Sequence, residues 1–112
     1  MTSLKITTRD TATGPVLEIV GDLDHARADE LRDLVTGLDL KPGQRLVLDL
    51  AGMEFCDSSG ITALLAARNH ATAARAGLAL AAVPANTLRV LRIVGLDQVF
   101  TLHPDSGTAT TP

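Results

Sequence analysis

The chain has 112 residues, of which 46% are hydrophobic and 21% charged, and its formal net charge is −3. That length and composition fit one globular domain with its own core. The slight acidity and the presence of only two aromatic residues, Phe55 and Phe100, argue against a nucleic-acid surface and against electrostatic binding to membranes. A single cysteine, Cys56, excludes an intrachain disulfide. The polar start of the chain and the lack of any apolar run of ~20 residues predict a soluble, cytoplasmic protein.

The first predicted elements are two strands, residues 4–7 and 16–20, separated by a turn-like segment. They are expected to form a hairpin. Asp24 is predicted to cap a helix that runs to about Leu38. Apolar residues recur along this segment at helical spacing, so one side of the helix is expected to face a core.

Five further elements alternate strand and helix along the rest of the chain. They are predicted at residues 45–50, 60–76, 78–83, 84–94 and 99–102. Gly77 and Gly95 are expected to end the two helices, because glycine is common just past a helix C-terminus. In the second of these helices, Leu88, Leu91 and Val94 are predicted to point inward.

The resulting order, β-β-α-β-α-β-α-β, predicts an α/β domain with a mixed, mostly parallel sheet and a hairpin strand at one edge. The small, polar segment 104–112 predicts a disordered tail, which leaves residues 1–103 as the domain. In such sheets, functional residues collect at the carboxyl ends of the strands. The loops expected at that rim are 21–24, 51–59 and 84–86.

The second of these loops contains the motif Phe-Cys-Asp-Ser-Ser-Gly-Ile, residues 55–61, and a serine nucleophile is one hypothesis for it. Such a serine needs a base and an oxyanion hole, and the hydrolase pattern G-x-S-x-G is absent. Of the three histidines, only His25 is expected near the motif. His70 lies about three turns into the following helix, and His103 lies near the tail. We therefore predict that the chain is not an enzyme.

The motif also lacks the pattern of a nucleotide or metal site. It has one glycine and no lysine, and it matches neither phosphate-binding loop pattern. Asp22, Asp24 and Asp57 are expected at the same rim, but no ligand spacing supports a metal. We predict neither a cofactor nor a metal.

Two interpretations of the motif remain. In the first, Asp57 or Ser58 caps the following helix, and Gly60 lets another backbone approach closely. In the second, an exposed serine at the helix N-terminus is phosphorylated, which adds ~1.5–2 negative charges. The helix dipole and the free backbone amides tolerate such a charge, so the phosphate is expected to block docking rather than unfold the domain.

Three segments, in this order, resemble the STAS domain of bacterial anti-sigma factor antagonists. They are Val-Gly-Asp-Leu-Asp at 20–24, Leu-Val-Leu-Asp-Leu at 46–50 and Phe-Cys-Asp-Ser-Ser-Gly-Ile at 55–61. Val-Gly-Leu at 94–96 also matches the end of the family's third helix. The resemblance covers about Leu4 to Leu102, and Asp-Ser-Ser-Gly-Ile is its specific part.

The resemblance implies partner switching. The unmodified antagonist of this family binds an anti-sigma factor that is also an ATP-dependent serine kinase, and this binding frees the sigma factor. The kinase phosphorylates the antagonist's serine and thereby releases it, and a PP2C-type phosphatase reverses the modification. Matched onto this sequence, the phosphoacceptor is Ser58, the first serine of the pair.

The same match indicates a partner surface around Ser58. Asp22 and Asp24 match the family's acidic loop, whereas His25, Gly60 and Thr62 are included for their proximity. The partner-binding residues expected are Asp22, Asp24, His25, Asp57, Ser59, Gly60 and Thr62. No direct contact with nucleic acid or a membrane is implied, and we expect a monomer.

The sequence departs from the family after its last strand. Many members have a fourth helix there, and the segment 103–107 is not expected to form one. An alternative function is a STAS scaffold or sensor module in another complex, stressosome-like or lipid-transporting, without phosphorylation. The retained Asp57, Ser58 and Ser59 favour the antagonist, because a pure scaffold needs no acceptor hydroxyl.

Overall fold

A computed structural model describes residues 3–112 of the chain. Within that range, the strands are β1 (Lys5–Thr11), β2 (Gly14–Leu23), β3 (Arg45–Asp49), β4 (Met53–Cys56), β5 (Gly77–Ala81) and β6 (Thr101–His103). The helices are α1 (Ala28–Thr36), α2 (Ser58–Ala73), α3 (Ala85–Ile93) and α4 (Ser106–Ala109), and a 3-10 turn spans Leu96–Gln98. None of the helices in this part of the chain is long and apolar enough to cross a membrane.

The sheet confirms the predicted α/β class. Its strand order is β1-β2-β3-β5-β6, with β1 antiparallel to β2 and the other neighbours parallel. Strand β4 lies where the sequence predicts a loop. The chain turns at Ala51 and Gly52 after β3 and pairs with the end of β2, through a register shift. The start of the motif at residues 55–61 is therefore held in a sheet.

One side of the sheet carries the main hydrophobic core. Leu17, Leu48 and Leu80 of the central strands are fully buried there with residues of α1 and α2. The buried side of α2 consists mostly of small residues, namely Gly60, Ala63, Leu64, Ala67 and Ala71. Small side chains let a helix backbone lie close to its neighbours, which positions the N-terminus of α2 at the end of β2.

Helix α1 begins later than the sequence predicts, and Asp24 does not cap it. The Asp24 carboxylate pairs with Arg27, with 3.2 Å between Oδ2 and Nη1. The Asp24 carbonyl accepts hydrogen bonds from the amides of Arg27 and Ala28. This turn delays the helix to Ala28 and orients the Asp24 side chain toward the guanidinium.

The end of α2 also differs from the prediction. Arg75, not Gly77, takes the left-handed conformation, with φ of 60°. The Ala76 amide donates to the Ala71 carbonyl at 2.9 Å, and the Arg75 amide donates to Thr72 at 3.0 Å. These two bonds form a Schellman motif, and Gly77 is already the first residue of β5.

The C-terminal segment 104–112, predicted to be disordered and to lack a fourth helix, contains the short helix α4 at Ser106–Ala109, which corrects both predictions. Asp105 caps it by accepting a 2.7 Å hydrogen bond from the Thr108 amide. Arg45 donates from Nη1 to the Ala109 carbonyl at 2.7 Å. Ala109 completes a small buried cluster on the second side of the sheet, with Val16, Val47, Ala79 and Ala81. The tail packs on the sheet because Ala109 covers this cluster. The local sequence pattern of the tail does not predict that contact.

Candidate functional site

The candidate site lies where the β2–α1 loop meets the start of α2, and the Asp57 carboxylate joins the two. Asp57 is the N-cap of α2, and its Oδ1 accepts a 3.0 Å hydrogen bond from the Gly60 amide. Its Oδ2 accepts a 3.1 Å hydrogen bond from the His25 amide. Of the two capping residues that the sequence allows, the structure therefore selects Asp57. One side chain both caps the helix and fixes the neighbouring loop.

Gly60 places the first turn of α2 against the end of β2. A β-carbon at this position would collide with the Leu23 backbone carbonyl and would lie 2.7 Å from the Cys56 sulfur. Backbone atoms cannot move aside as a flexible side chain does. The close approach predicted at Gly60 is therefore confirmed, and its physical reason is helix–strand packing.

Ser58 and Ser59 have different surroundings. Ser58 is exposed as the first residue of α2, and its carbonyl accepts a 2.9 Å hydrogen bond from the Thr62 hydroxyl. Ser59 is partly buried, and its hydroxyl lies 3.3 Å from Nδ1 of His25. The amides of the first helical turn have no acceptor within the helix, so both serines lie in an electropositive backbone environment.

The two acids of the β2–α1 loop are less accessible than an open docking surface requires. Asp22 is 8% exposed and Asp24 is 9% exposed. Asp24 is paired with Arg27, and its Oδ1 is buried without a hydrogen-bond partner in the part of the chain that the structure describes. His25 and Thr62, by contrast, are exposed beside Ser59. The predicted residues thus lie near one rim, with different accessibility.

The geometry does not assemble a catalytic triad around Ser58. The ring of His25 contacts Ser59, and within residues 3–112 no side chain hydrogen-bonds its other ring nitrogen. Burial, with the neighbouring Asp57 carboxylate, raises the pKa of the Cys56 thiol to about 12, which keeps it protonated at neutral pH. The described residues also contain no cluster of three or more groups able to hold a metal ion.

A groove of about 430 Å³ runs between α2 and α3, with Ser58 on its wall. Its lining residues are Cys56, Asp57, Ser58, Ile61, Thr62, Val90, Val94 and Leu96. The sequence does not predict this groove, because helical periodicity places Val94 on the buried side of α3, whereas Val94 is 57% exposed in the structure. The available signal was a surplus of apolar residues on α3, since Val90, Ile93 and Val94 add to the stripe that the core uses.

Both the sequence and the fold of the chain are similar to those of known proteins. The family profile described as "Mlab, STAS domain" matches residues 6–103. A STAS-domain containing protein of Pseudomonas aeruginosa (strain UCBPP-PA14) is 30% identical over 99 residues, which cover 87% of this chain and 97% of the relative. The crystal structure of an anti-sigma factor antagonist from Mycobacterium paratuberculosis superposes with a TM-score of 0.82 and 26% identity, over 96% of this chain and 94% of that one.

A sulfate transporter family protein from Wolinella succinogenes shares the fold as well. It superposes with a TM-score of 0.74 and 18% identity, over 85% of this chain and 80% of that one. The fold therefore occurs in proteins of different function, and the function of this chain has to be argued from its site.

Proposed function

The chain belongs to the STAS domain family, and we propose that within this family it acts as an anti-sigma factor antagonist. The unmodified protein binds an anti-sigma factor that is also an ATP-dependent serine kinase, and it thereby frees the sigma factor. Phosphorylation of Ser58 by that kinase ends the binding, and a PP2C-type phosphatase restores it. The partner contacts the rim around Ser58 through the exposed His25 and Thr62, whereas Asp22 and Asp24, which are 8% and 9% exposed, offer it little surface.

The observation that carries this proposal is the difference between Ser58 and the polar groups beside it. The Asp57 carboxylate accepts hydrogen bonds from two backbone amides, and the Ser59 hydroxyl contacts the ring of His25. The Ser58 side chain is exposed and makes no hydrogen bond within residues 3–112. It is therefore the hydroxyl that a kinase can reach without breaking a contact of the fold.

A phosphate at Ser58 is expected to leave the domain folded. It would lie at the N-terminus of the 16-residue helix α2, where the dipole and the free amides favour negative charge. The phosphate is expected to weaken partner binding instead, because a docked partner would have to bury a group of ~1.5–2 negative charges. STAS domains are typically binding modules, and we propose that this one has no catalytic activity of its own and acts in the cytoplasm.

The test is to incubate the protein with each ATP-binding anti-sigma factor kinase of its source genome and MgATP, and to locate the phosphate by mass spectrometry. We expect phosphate on Ser58, and we expect the phosphorylated protein to lose kinase binding. Ser58→Ala should still bind but resist release, whereas Ser58→Glu should bind at least ~10-fold more weakly because its charge would be buried on docking. Ser59→Ala is the matched control and should remain a substrate.

Three outcomes would contradict parts of the proposal. Equal kinase binding by Ser58→Ala and Ser58→Glu would reject the switch, and phosphate found on Ser59 would reassign the acceptor. The absence of phosphorylation by every kinase would favour a STAS scaffold or sensor in another complex. Esterase activity that is lost in Ser58→Ala would revive the enzyme hypothesis.

A further inference from the structure

Ser58 and Ser59 are adjacent in α2, but they line different clefts. Successive residues of a helix point about 100° apart around its axis. Ser58 lines the α2–α3 groove, whereas Ser59 lines a second cleft of about 320 Å³ between α1 and α2. The residues around this α1–α2 cleft are His25, Ala28, Asp29, Arg32, Ser59 and Thr62. A kinase that reaches the first hydroxyl from the groove therefore does not meet the second one in the same orientation.

The ring of His25 holds the Ser59 side chain in the α1–α2 cleft. The Ser59 Oγ lies 3.3 Å from Nδ1 of His25. Both partners of this contact are fixed by one carboxylate, because Asp57 accepts a hydrogen bond from the His25 amide and also caps the helix in which Ser59 is the second residue. The Ser58 hydroxyl, by contrast, is exposed and makes no hydrogen bond within residues 3–112.

The contact between Ser59 and His25 bears on phosphoryl transfer. The transfer forms a bond from the serine oxygen to the γ-phosphorus of ATP and breaks the bond from that phosphorus to the bridging oxygen, which leaves with ADP. The hydroxyl proton passes to a base of the kinase, and the attacking and leaving oxygens have to lie in line. A hydroxyl bonded to His25 is held in one rotamer, and it has to lose that bond before it can reach this line.

These observations separate the two hydroxyls by a single side chain. We infer that His25 determines which serine is phosphorylated, because its ring holds the Ser59 hydroxyl away from the kinase. This inference rests on the proposed function and deepens it, since it names the residue that directs the phosphate to Ser58. His25 acts through Ser59, so it is a positioning residue.

The first test measures phosphate on Ser59 when Ser58 is absent. Ser58→Ala alone, combined with His25→Ala, and combined with His25→Asn are each mixed with a saturating excess of kinase and MgATP, so that differences in affinity do not enter. Mass spectrometry follows the phosphate on Ser59. We expect His25→Ala to raise the rate roughly 5-fold, as the loss of one hydrogen bond allows. His25→Asn keeps a hydrogen-bonding atom at the position of Nδ1 and should stay within about 2-fold of Ser58→Ala.

The second test keeps both serines and measures how the phosphate divides between them. The ratio of Ser59 phosphate to Ser58 phosphate should rise in His25→Ala. Asp29→Ala is the control and should leave the ratio unchanged, because Asp29 lines the same cleft but pairs with Arg32, with 3.5 Å between Oδ1 and Nη1. A variant that only disturbs the fold or the docking would lower phosphorylation at both serines, so the ratio separates positioning from structure.

The outcomes separate this inference from the function beneath it. If the wild type takes phosphate on Ser58 but His25→Ala does not raise the Ser59 rate, the inference fails and the proposed function stands. A slower rate in His25→Ala would mean that the imidazole activates Ser59 as a base, which also overturns the inference. An equal gain from His25→Asn would reject the hydrogen bond as the cause. A wild type without phosphate on Ser58 would overturn both proposals.

Discussion

The N-terminal end of helix α2 is fixed by particular side chains and a glycine, whereas its C-terminal end is closed by backbone hydrogen bonds, within the helix and from the Gly43 amide to the Arg75 carbonyl. At the first end, Asp57 holds the β2–α1 loop and Gly60 touches the end of β2. At the second, Arg75 takes a left-handed conformation, and a β-carbon on the neighbouring Gly77 would meet nothing within 4 Å. The helix end that carries Ser58 therefore depends on particular residue types. The other end tolerates an arginine in a backbone conformation that favours glycine.

The largest effect on stability is expected when the glycine at each end of the helix is replaced, in separate variants, by alanine. Gly60→Ala is expected to lower the free energy of unfolding by about 3 kcal/mol, because the added methyl group collides with the Leu23 carbonyl. Gly77→Ala should stay within about 0.5 kcal/mol, since its methyl group enters open space. Urea unfolding followed by circular dichroism measures both, since the chain has no Trp or Tyr for fluorescence. Equal stability of the two variants would show that the approach at Gly60 is not tight.

A smaller loss is expected from removal of the Asp57 carboxylate. Asp57→Ala leaves the Gly60 and His25 amides without their acceptor and should cost about 1–2 kcal/mol of unfolding free energy. Asp57→Asn keeps an acceptor for the cap and should cost less. Hydrogen exchange should quicken at the His25 amide in Asp57→Ala, and unchanged protection there would argue against the tie between the loop and the helix.

The smallest effect is expected at the other end of the helix, and its sign is opposite. Arg75→Gly should raise the free energy of unfolding by about 0.5–1 kcal/mol, because glycine takes the left-handed conformation without strain. Arg75→Ala removes the same side chain but keeps the strain, so it should leave stability nearly unchanged. Thermal and urea unfolding distinguish the two, and a gain of equal size in both would attribute the effect to the arginine side chain instead.

Local sequence patterns predict the class of fold and the first turn of α2. The order of strands and helices follows from hydrophobic periodicity, which is a local property of the chain. Local rules for helix N-termini also predict three features of the site. These are Asp57 as one of two possible caps, the close approach at Gly60 and the exposure of Ser58. These rules apply wherever a helix starts, so no neighbouring element had to be known.

Which surfaces are covered depends on the packing of elements that are distant in the sequence. Strand β4 exists because β2 extends beyond β3 and offers a free edge, and α4 is ordered because Ala109 covers a cluster on the second side of the sheet. The exposure of Val90 and Val94 likewise depends on how α3 lies beside α2. Periodicity shows that a helix has an apolar side, but the packing of distant elements decides how much of that side is buried. The groove beside Ser58 was therefore absent from the prediction, although each of its residues is visible in the sequence.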